Sequence, residues 1–296
     1  MTKTQPPNTA TYLAYAKVNL ILRVVRKRPD GYHDIESLMQ TVDLADTVTL
    51  RWGGGGINVT CSDPDLAGEA NLAWKAASVF NEAHGHGEGV DISITKAIPV
   101  AAGLGGGSTD AACVLAALAE RRGLGPEKAR LSELALRVGS DVPYLLAGGP
   151  AVVRGRGEIV EPLEGWETLN LVIATPPVRI RSSWAYGRLR MELTGEPERS
   201  RILSLDTAAV GVEGIAAALH NDLERAVFRS YPDVRSLKER MTEMGALGVV
   251  MSGSGPSVLA VERDKVRAEE MAAGLRAEGS TAFAVRTTGS GRSALE

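Results

Sequence analysis

Hydrophobic and polar residues alternate most clearly in the stretch that contains Val90, Ile92 and Ile94. Alternation with a period of two is typical of a strand that has one buried face. The first apolar run of the chain ends near the sequence Arg-Pro-Asp-Gly at 28–31, which suits a tight turn, and we expect a loop after it. Short apolar runs indicate further strands at residues 12–25, 48–51, 166–175, 249–251 and 258–261.

A helical pattern follows a glycine cluster in the first half of the chain. The alanine- and leucine-rich sequence there is preceded by Ser108, a suitable N-cap, and followed by Gly123, which can adopt the left-handed conformation that ends a helix. A second helix is predicted between Pro126 and Gly139. Because strands and helices alternate irregularly along the chain, we expect an α+β fold.

Composition extends this picture to the number of domains. The chain has 296 residues, of which 44% are hydrophobic, and domains usually contain about 100 to 200 residues. Two packed lobes or one large domain are therefore both compatible with its length. The sequence Glu-Pro-Leu-Glu-Gly at 161–165 suits a crossing between lobes, so we expect one domain at 1–164 and a second at 165–296.

Charge and cysteine content limit the partners and the compartment. A formal net charge of −3 provides no field that would gather nucleic acid or an anionic membrane. The first ten residues contain no apolar stretch suited to a signal peptide, and no uncharged apolar run reaches the roughly 18 residues that a membrane span needs. Two cysteines, Cys61 and Cys113, fit a reducing compartment. We expect a cytoplasmic protein with no nucleic-acid or membrane partner, and its oligomeric state stays open.

The glycine-rich segment before the first predicted helix is the strongest chemical signal. Its backbone N–H groups can converge without side chains in the way, and the helix N-terminus adds partial positive charge, so the segment suits a phosphate group. A glycine turn that only caps a structural helix is an equally good interpretation of this segment taken alone. The candidate phosphate-binding residues are Pro99, Val100, Ala101, Ala102, Gly103, Leu104, Gly105, Gly106, Gly107, Ser108 and Thr109.

Further motifs occur around this loop in a fixed order along the chain. The sequence resembles the GHMP kinases, the family of galactokinase, homoserine kinase, mevalonate kinase and phosphomevalonate kinase, whose second motif is Pro-x-x-x-Gly-Leu-Gly-Ser/Gly-Ser/Gly-Ser. The resemblance implies a two-lobed α+β fold with the active site in the cleft between lobes, and ATP with its Mg²⁺ as phosphoryl donor. It rests on AKVNL at 16–20, RPDGYH at 28–33, PVAAGLGGGS at 99–108, GSDVP at 139–143 and MSGSGPS at 251–257.

The same resemblance implies a catalytic pair. Asp141 would orient the attacking hydroxyl and take its proton, and Lys17 would lie beside it and stabilise the developing charge. Asn19 shares a strand face with Lys17 and becomes a candidate substrate-binding residue. The residues alone favour a solvated loop aspartate or a helix cap for Asp141, in a backbone held extended by the following Val-Pro, and a solvent-facing Lys17.

Tyr32 and His33 follow Pro-Asp-Gly directly. This motif resembles that of one branch of the family, which phosphorylates the 2-hydroxyl of a cytidine-diphosphate-capped methylerythritol in non-mevalonate isoprenoid synthesis. The resemblance implies that both residues bind the cytidine, with Tyr186 as a candidate for the other side of the base. A turn-packing aromatic and a surface histidine are the alternative interpretation. Around Tyr186 the chain departs from the family, with Arg-Ser-Ser-Trp at 181–184 in place of the usual Ser-Thr pair.

Two other functions compete with this one. A different GHMP substrate, such as homoserine or mevalonate, is disfavoured by Tyr32-His33, and a nucleotide-binding sensor without activity is disfavoured by the presence of both Lys17 and Asp141. We assign no protein metal site, because His84 and His86 lie in a glycine loop without a further ligand. Mg²⁺ is expected to arrive with ATP, with Ser108 as a candidate ligand.

Overall fold

The computed structural model describes residues 8–85, 87–124, 128–189 and 211–295. Within these ranges the strands are β1 (Thr9–Lys27), β2 (His33–Trp52), β3 (Ile57–Cys61), β4 (Val90–Thr95), β5 (Ala151–Gly155), β6 (Ile159–Pro162), β7 (Asn170–Thr175), β8 (His220–Asn221), β9 (Gly248–Met251), β10 (Val258–Glu262), β11 (Thr281–Thr288) and β12 (Arg292–Leu295). The helices are α1 (Leu72–His84), α2 (Gly106–Arg121), α3 (Lys128–Val138), α4 (Val142–Ala147), α5 (Ser182–Gly187), α6 (Gly211–Ala218), α7 (Glu224–Ser230), α8 (Pro232–Glu243) and α9 (Lys265–Ala277).

A long antiparallel pair, β1 with β2, forms the centre of the fold. The two strands are joined by the predicted turn, which closes through Arg28 N donating to Tyr32 O at 2.8 Å. The pairing slips between Tyr15 and Lys17 and again between Asn19 and Ile21. Because such irregularities bend a strand and re-aim its side chains, they allow Lys17 and Asn19 to leave the regular pleat.

Strand β2 is much longer than the sequence indicated. Residues 48–51 were expected as a strand and a loop was expected after the turn at 28–31, but β2 runs without a break from His33 to Trp52. Residues 35–42 are all buried, on both faces of the sheet. A strand with two buried faces lacks the polar alternation that reveals a half-buried strand, which explains the error.

The strands form one continuous path through the molecule, in the order β12–β1–β2–β11–β7–β10–β9. Strands β4 and β5 also pair with β2, and β8 lies parallel to β1. The last strand, β12, therefore lies beside the first, although the two are at opposite ends of the described chain. The mixture of this sheet with separate helices confirms the α+β class, and the domain boundary between 164 and 165 stays a prediction.

Helix α2 lies in the core and sets the position of the glycine loop. It begins at Gly106 rather than after Ser108, so the expected Ser108 cap is wrong. Gly105 takes the capping position with a left-handed φ of 73°, a conformation that glycine adopts at little cost. The predicted end of the helix is confirmed, because Gly123 has a φ of 68°.

For other helices and strands, the observed bounds agree in part with those predicted from the sequence. Helix α3 ends at Val138, directly before Gly139, as expected, while Pro126 lies outside the described residues. Strand β7 begins at Asn170, four residues later than residue 166. In the described part of the chain, no helix combines the length and the apolar character that crossing a membrane requires.

Candidate active site

A cavity of about 1090 Å³ brings together most of the residues that the sequence singled out. Its wall combines the middle of β1, the turn after β1, the glycine loop, the start of α4, α5 and the loop after β9. From the predicted site it includes Lys17, Asn19, Tyr32, His33, Pro99, Val100, Ala101, Ala102, Gly103, Gly105, Gly106, Gly107, Ser108, Asp141 and Tyr186. Leu104 and Thr109 are not among the lining residues, and both are buried.

Leu104 and Thr109 attach the glycine loop to β1 instead. Leu104 O accepts a hydrogen bond from Lys17 N at 3.0 Å, and Thr109 Oγ1 donates to Tyr15 O at 2.8 Å. A Cβ on Gly105 would lie 2.9 Å from Lys17 Cγ, so a larger residue there would displace the lysine. The loop therefore holds its N–H groups at the start of α2 while its other side fixes the stem of Lys17.

The two residues of the expected catalytic pair lie close together in the structure. Lys17 Nζ lies 3.6 Å from Asp141 Oδ2, an ion-pair distance that is too long for a good hydrogen bond. Lys17 Nζ donates to Asn19 Oδ1 at 2.6 Å, and Asn19 Nδ2 donates to Ser37 Oγ at 2.8 Å. Lys17 and Asn19 are both buried, which excludes the solvent-facing alternative for the lysine. This chain of bonds fixes the ammonium group next to a carboxylate at the cavity wall.

The backbone of Asp141 differs from the expectation. Its φ of −84° and ψ of −14° are helical, so the predicted extended conformation is wrong. The residue directly before Pro143 is Val142, and the restriction that a proline imposes applies to Val142 rather than to Asp141. Asp141 stands at the N-cap of α4, but its side chain makes no capping hydrogen bond there. The carboxylate, with one third of the side chain exposed, is thereby available to the cavity.

The far end of the cavity contains aromatic side chains. The rings of His33 and Tyr186 are 5.3 Å apart and tilted by 31°, while the ring of Tyr32 lies under the guanidinium group of Arg156 at 3.8 Å. Tyr32 is 50% exposed. Burial and, to a lesser degree, the nearby charge of Lys27 lower the pKa of His33, which favours the neutral ring. His33 and Tyr186 thus form one group, and Tyr32 contacts Arg156 beside it.

Comparisons with known proteins show the family to which the chain belongs. The GHMP kinases N terminal domain matches residues 71–149, and the GHMP kinases C terminal domain matches residues 211–281. A protein of Gloeobacter violaceus named 4-diphosphocytidyl-2-C-methyl-D-erythritol kinase is 43% identical over 290 residues, covering 96% of each chain. A protein of the same name from Pelotomaculum thermopropionicum is 41% identical, covering 94% of this chain and 97% of the relative. The chain belongs to the 4-diphosphocytidyl-2-C-methyl-D-erythritol kinase family, within the GHMP kinases.

Solved structures of GHMP kinases show the same fold. The crystal structure of 4-(cytidine 5'-diphospho)-2C-methyl-D-erythritol kinase superimposes with a TM-score of 0.78 at 36% identity, covering 94% of this chain and 99% of that one. Homoserine kinase from Cytophaga hutchinsonii superimposes with a TM-score of 0.80 over both whole chains, but at 21% identity. The second match supports the fold alone, because the substrate differs and little sequence is shared.

A buried charge cluster at the glycine loop of this GHMP kinase was missed in the sequence. Lys96 Nζ donates to Asp46 Oδ2 and, at 2.8 Å, to Asp110 Oδ2. Asp46 Oδ1 accepts from Ala97 N at 2.6 Å and Ile98 N at 2.9 Å. The cluster, defined here as Lys96, Asp46 and Asp110, therefore joins β2 to both ends of the loop. Lys96 and Asp110 flank the loop and offered a signal, whereas Asp46 is remote in sequence.

Asp110 has an unusual environment within this cluster. Burial raises the pKa of Asp110 to about 7, with Lys96 opposing the shift and Asp46 adding to it. Its Oδ1 atom is buried and has no hydrogen-bond partner among the residues that the structure describes. Lys96 and Asp110 both line the cavity. One carboxylate oxygen of this cavity-lining residue is thus left without a partner in the described part of the chain.

The segment at 181–184 contributes through its serines. Ser182 Oγ lies 2.9 Å from Ser254 Oγ, which links α5 to the loop after β9, and Arg181, Ser182 and Ser183 line the cavity. The departure from the usual Ser-Thr pair therefore lies on the wall of the cavity. The ring of His84 packs on Phe80 at 4.6 Å, and His86 lies outside the described residues. Among the residues that are described, no three His, Cys, Asp or Glu side chains form a group that could hold a metal.

Proposed function

We propose that this chain transfers the γ-phosphoryl group of ATP to the 2-hydroxyl of 4-diphosphocytidyl-2-C-methyl-D-erythritol, in non-mevalonate isoprenoid synthesis. The observation that carries the proposal is the position of the Lys17–Asp141 pair, at 3.6 Å, on the wall of a cavity shared by the glycine loop and the aromatic end. Relatives that are 38–43% identical have the name of this enzyme. Donor, base and acceptor sites would then occupy one cavity.

The glycine loop is the proposed site of the ATP phosphates. Its N–H groups at the start of α2 provide donors and partial positive charge, and the Lys96 cluster holds both ends of the loop. Leu66, Leu72, Pro99 and Val100 line the same end of the cavity and offer apolar surface for a base. Because the cluster uses backbone and buried contacts, the loop is arranged before ATP binds.

Phosphoryl transfer requires a base and a stabilising charge. In the proposed step, Asp141 takes the proton of the attacking hydroxyl as the new bond from that oxygen to the γ-phosphorus forms. The bond from the γ-phosphorus to the bridging oxygen breaks at the same time, and ADP leaves with that oxygen. Lys17, held by Asn19, lies beside the Asp141 carboxylate and stabilises the negative charge on the transferred group.

Mg²⁺ fits this site as an ion carried by ATP. The unpartnered Asp110 Oδ1, the Ser108 hydroxyl and the Asp141 carboxylate are oxygen donors at the cavity wall, the type of ligand that Mg²⁺ prefers. Ser108 and Asp110 are the residues that would hold it, together with the phosphates. When bound, the ion neutralises charge on the phosphate oxygens.

The aromatic end is the proposed acceptor site. Tyr32, His33 and Tyr186 offer stacking surfaces and hydrogen-bonding groups suited to a pyrimidine base. Asn19 lines the same cavity next to Lys17, where its amide can bind the sugar alcohol. The base and the reacting hydroxyl would therefore be held at separate points, which orients the hydroxyl towards Asp141.

The setting of the reaction is part of the proposal. We propose a cytoplasmic enzyme with a small-molecule substrate and no nucleic-acid or membrane partner, which the two free cysteines, Cys61 and Cys113, support. We also retain the division into domains at 1–164 and 165–296. The two matched family domains lie on either side of that boundary, which supports it.

Release of ADP with different acceptors tests the function. The purified chain is supplied with ATP, Mg²⁺ and, in parallel, the cytidine substrate, homoserine or mevalonate. We expect turnover with the cytidine substrate and at least about a hundredfold lower kcat/KM with the others, because those lack the base that the aromatic end recognises. Equal turnover with homoserine or mevalonate, or none with the cytidine substrate, would contradict the proposal.

A further inference from the structure

The segment His-Asn-Asp-Leu-Glu at 220–224 contains a buried asparagine that the proposed mechanism does not use. Asn221 belongs to β8, which lies parallel to β1 at Ile21 and Leu22, close in sequence to Lys17 and Asn19. It is 5% exposed and is not among the residues that line the cavity. Its side chain is therefore placed to act on the site only through other residues.

The amide of Asn221 holds the loop that follows β9. Asn221 Nδ2 donates to Met251 O and to Gly253 O, both at 2.7 Å, and Asn221 Oδ1 accepts from Leu223 N at 2.9 Å. Both hydrogens of the amide are thus used on carbonyl groups that lie on either side of Ser252. A single buried side chain fixes the backbone of the loop at two points.

That loop contacts the catalytic lysine and the phosphate loop directly. A Cβ on Gly253 would lie 3.2 Å from both Lys17 Nζ and Asn19 Oδ1, so the backbone there packs against the two functional groups. Ser252 Oγ donates to Gly103 O at 3.2 Å, and Asn19 N donates to Ser252 Oγ at 3.3 Å. A shift of residues 252–253 would therefore release Lys17, Asn19 and Gly103 together.

We propose that Asn221 is a positioning residue for phosphoryl transfer, which holds the 252–253 backbone against Lys17 and the glycine loop without touching either substrate. The inference rests on the proposed function for its kinetic effect. Displacement of a reacting group by about 1 Å can lower a rate about a hundredfold, so a distant anchor of this kind affects kcat. Asn221 differs in this from its neighbour Asp222.

The neighbouring Asp222 provides the matched control. Asp222 Oδ2 accepts from Val24 N at 2.7 Å and its other oxygen pairs with His220, so it ties the same segment to β1 without reaching the loop. Glu224 Oε1 accepts from Met251 N at 2.9 Å and pairs with Lys238. Asp222→Asn weakens the link of the segment to β1, whereas Asn221→Ala removes the hydrogen bonds to Met251 O and Gly253 O.

The kinetic test uses the full chain with Asn221→Ala, Asn221→Asp and Asp222→Asn, all measured well below their melting temperatures. We expect Asn221→Ala to lower kcat about tenfold or more while KM for either substrate changes less, because orientation is lost rather than contact with a substrate. Asn221→Asp should be worse, since a carboxylate would face two carbonyl oxygens, and Asp222→Asn should keep kcat within about twofold. A lowered melting temperature with kcat unchanged in Asn221→Ala would overturn the inference.

Two further measurements keep the test decisive. If Asn221 acts through Ser252, the kcat losses of Asn221→Ala and Ser252→Ala should not add in the double variant, whereas additive losses would contradict that route. Hydrogen–deuterium exchange needs no substrate: Asn221→Ala should raise exchange at 251–255 and in the β1 segment around Lys17, and Asp222→Asn should not. A wild-type chain that fails on the cytidine substrate would refute the proposed function alone, while unchanged exchange would refute the positioning role alone.

Discussion

The two ends of the cavity are built in different ways. At the proposed phosphate end, Lys96, Asp46 and Asp110 have side-chain exposures of 10%, 0% and 2%, and the cluster is tied to backbone N–H groups. At the aromatic end, Tyr32 is 50% exposed and its ring packs against the guanidinium group of Arg156. The phosphate end is therefore arranged before a ligand arrives, whereas the exposed ring at the other end is left for a ligand to cover.

The proposed catalytic pair, Lys17 and Asp141, lies on the wall of the same cavity and combines both properties. Lys17 is 4% exposed and fully held, but the side chain of Asp141 is one third exposed and makes no capping bond. A base that must take a proton from a substrate needs such an open carboxylate, and a stabilising cation needs a fixed place. Substitutions at the centre and at each end should therefore differ in which quantity they change.

The largest effect is expected at the centre. Asp141→Asn keeps the shape of the side chain but removes the base, so kcat should fall about a hundred- to ten-thousandfold. ATP binding, measured by calorimetry, should stay unchanged, because the glycine loop is intact. Activity within about threefold of wild type would contradict the role of Asp141 as base.

The phosphate end should respond in stability as well as in ATP binding. Asp46→Asn leaves Lys96 with one buried partner fewer, and loss of one member of a buried ion pair costs about 3–5 kcal/mol. KM for ATP should rise, since Asp46 also holds the backbone before the loop. The matched control is Asp91→Asn on β4, which breaks an exposed pair with Arg51 at 2.7 Å and should cost about 1 kcal/mol or less.

Chemical denaturation and ATP kinetics on both variants separate two roles of the cluster. A large loss of unfolding free energy in Asp46→Asn with an unchanged KM for ATP would show that the cluster stabilises the fold without positioning the loop. An equal loss in Asp91→Asn would contradict the distinction between buried and exposed pairs.

Asp110 should make the free energy of unfolding of the chain depend on pH. Its pKa is raised to about 7 in the folded chain, against about 3.9 in an unfolded chain, so between these values the folded state holds a proton that the unfolded state has released. The stabilisation is complete below about pH 4 and is lost as the pH rises through about 7. In Asp110→Asn this contribution should be absent. The difference in unfolding free energy between wild type and Asp110→Asn, measured by denaturation from pH 4 to 8, should fall as the pH rises. A difference that does not change with pH would contradict the raised pKa of Asp110.

The sequence predicted features that depend on local chemistry, and it predicted the rest less well. Gly123 ends α2 and the Pro-Gly turn follows β1, because each depends on a few adjacent residues. Helix α2 begins at Gly106 and not near Ser108 as expected, because Gly105 adopts a left-handed conformation that no neighbouring residue indicates.

Contacts between distant segments needed the fold or the family resemblance. Lys17 and Asp141 meet across more than a hundred residues, and composition or periodicity alone placed Lys17 in solvent. The bonds of Asp46 to Ile98 and of Asn221 to Gly253 each join a strand to a loop that it meets only in the folded chain. Such residues look like ordinary polar positions in sequence, because their function depends on partners that sequence spacing does not reveal.

The smallest effects are expected at the aromatic end, where they test stacking. Tyr32→Ala should weaken binding of the cytidine substrate by about 1–3 kcal/mol, because a base loses its stacking surface. Tyr32→Phe should cost much less, since the ring face remains and Arg156, now 3.8 Å from the Tyr32 ring, can still pack on it. Ile159→Ala is the matched control, because Ile159 is 49% exposed but lies outside the cavity lining, and it should leave KM unchanged.

His33 allows a second test of the aromatic end, because its expected contribution is hydrogen bonding to the edge of the base and not stacking. His33→Ala should narrow the preference for the cytidine substrate over its uridine analogue while KM for ATP stays unchanged. The measurement is kcat/KM for both substrates in wild type and each variant. Equal losses in Tyr32→Ala and Tyr32→Phe, with unchanged base preference in His33→Ala, would move the base to the other ring of the group, Tyr186. The half-buried Tyr186, whose pKa is raised by burial and then by Asp141, would then read the base close to the catalytic carboxylate instead of at the open rim.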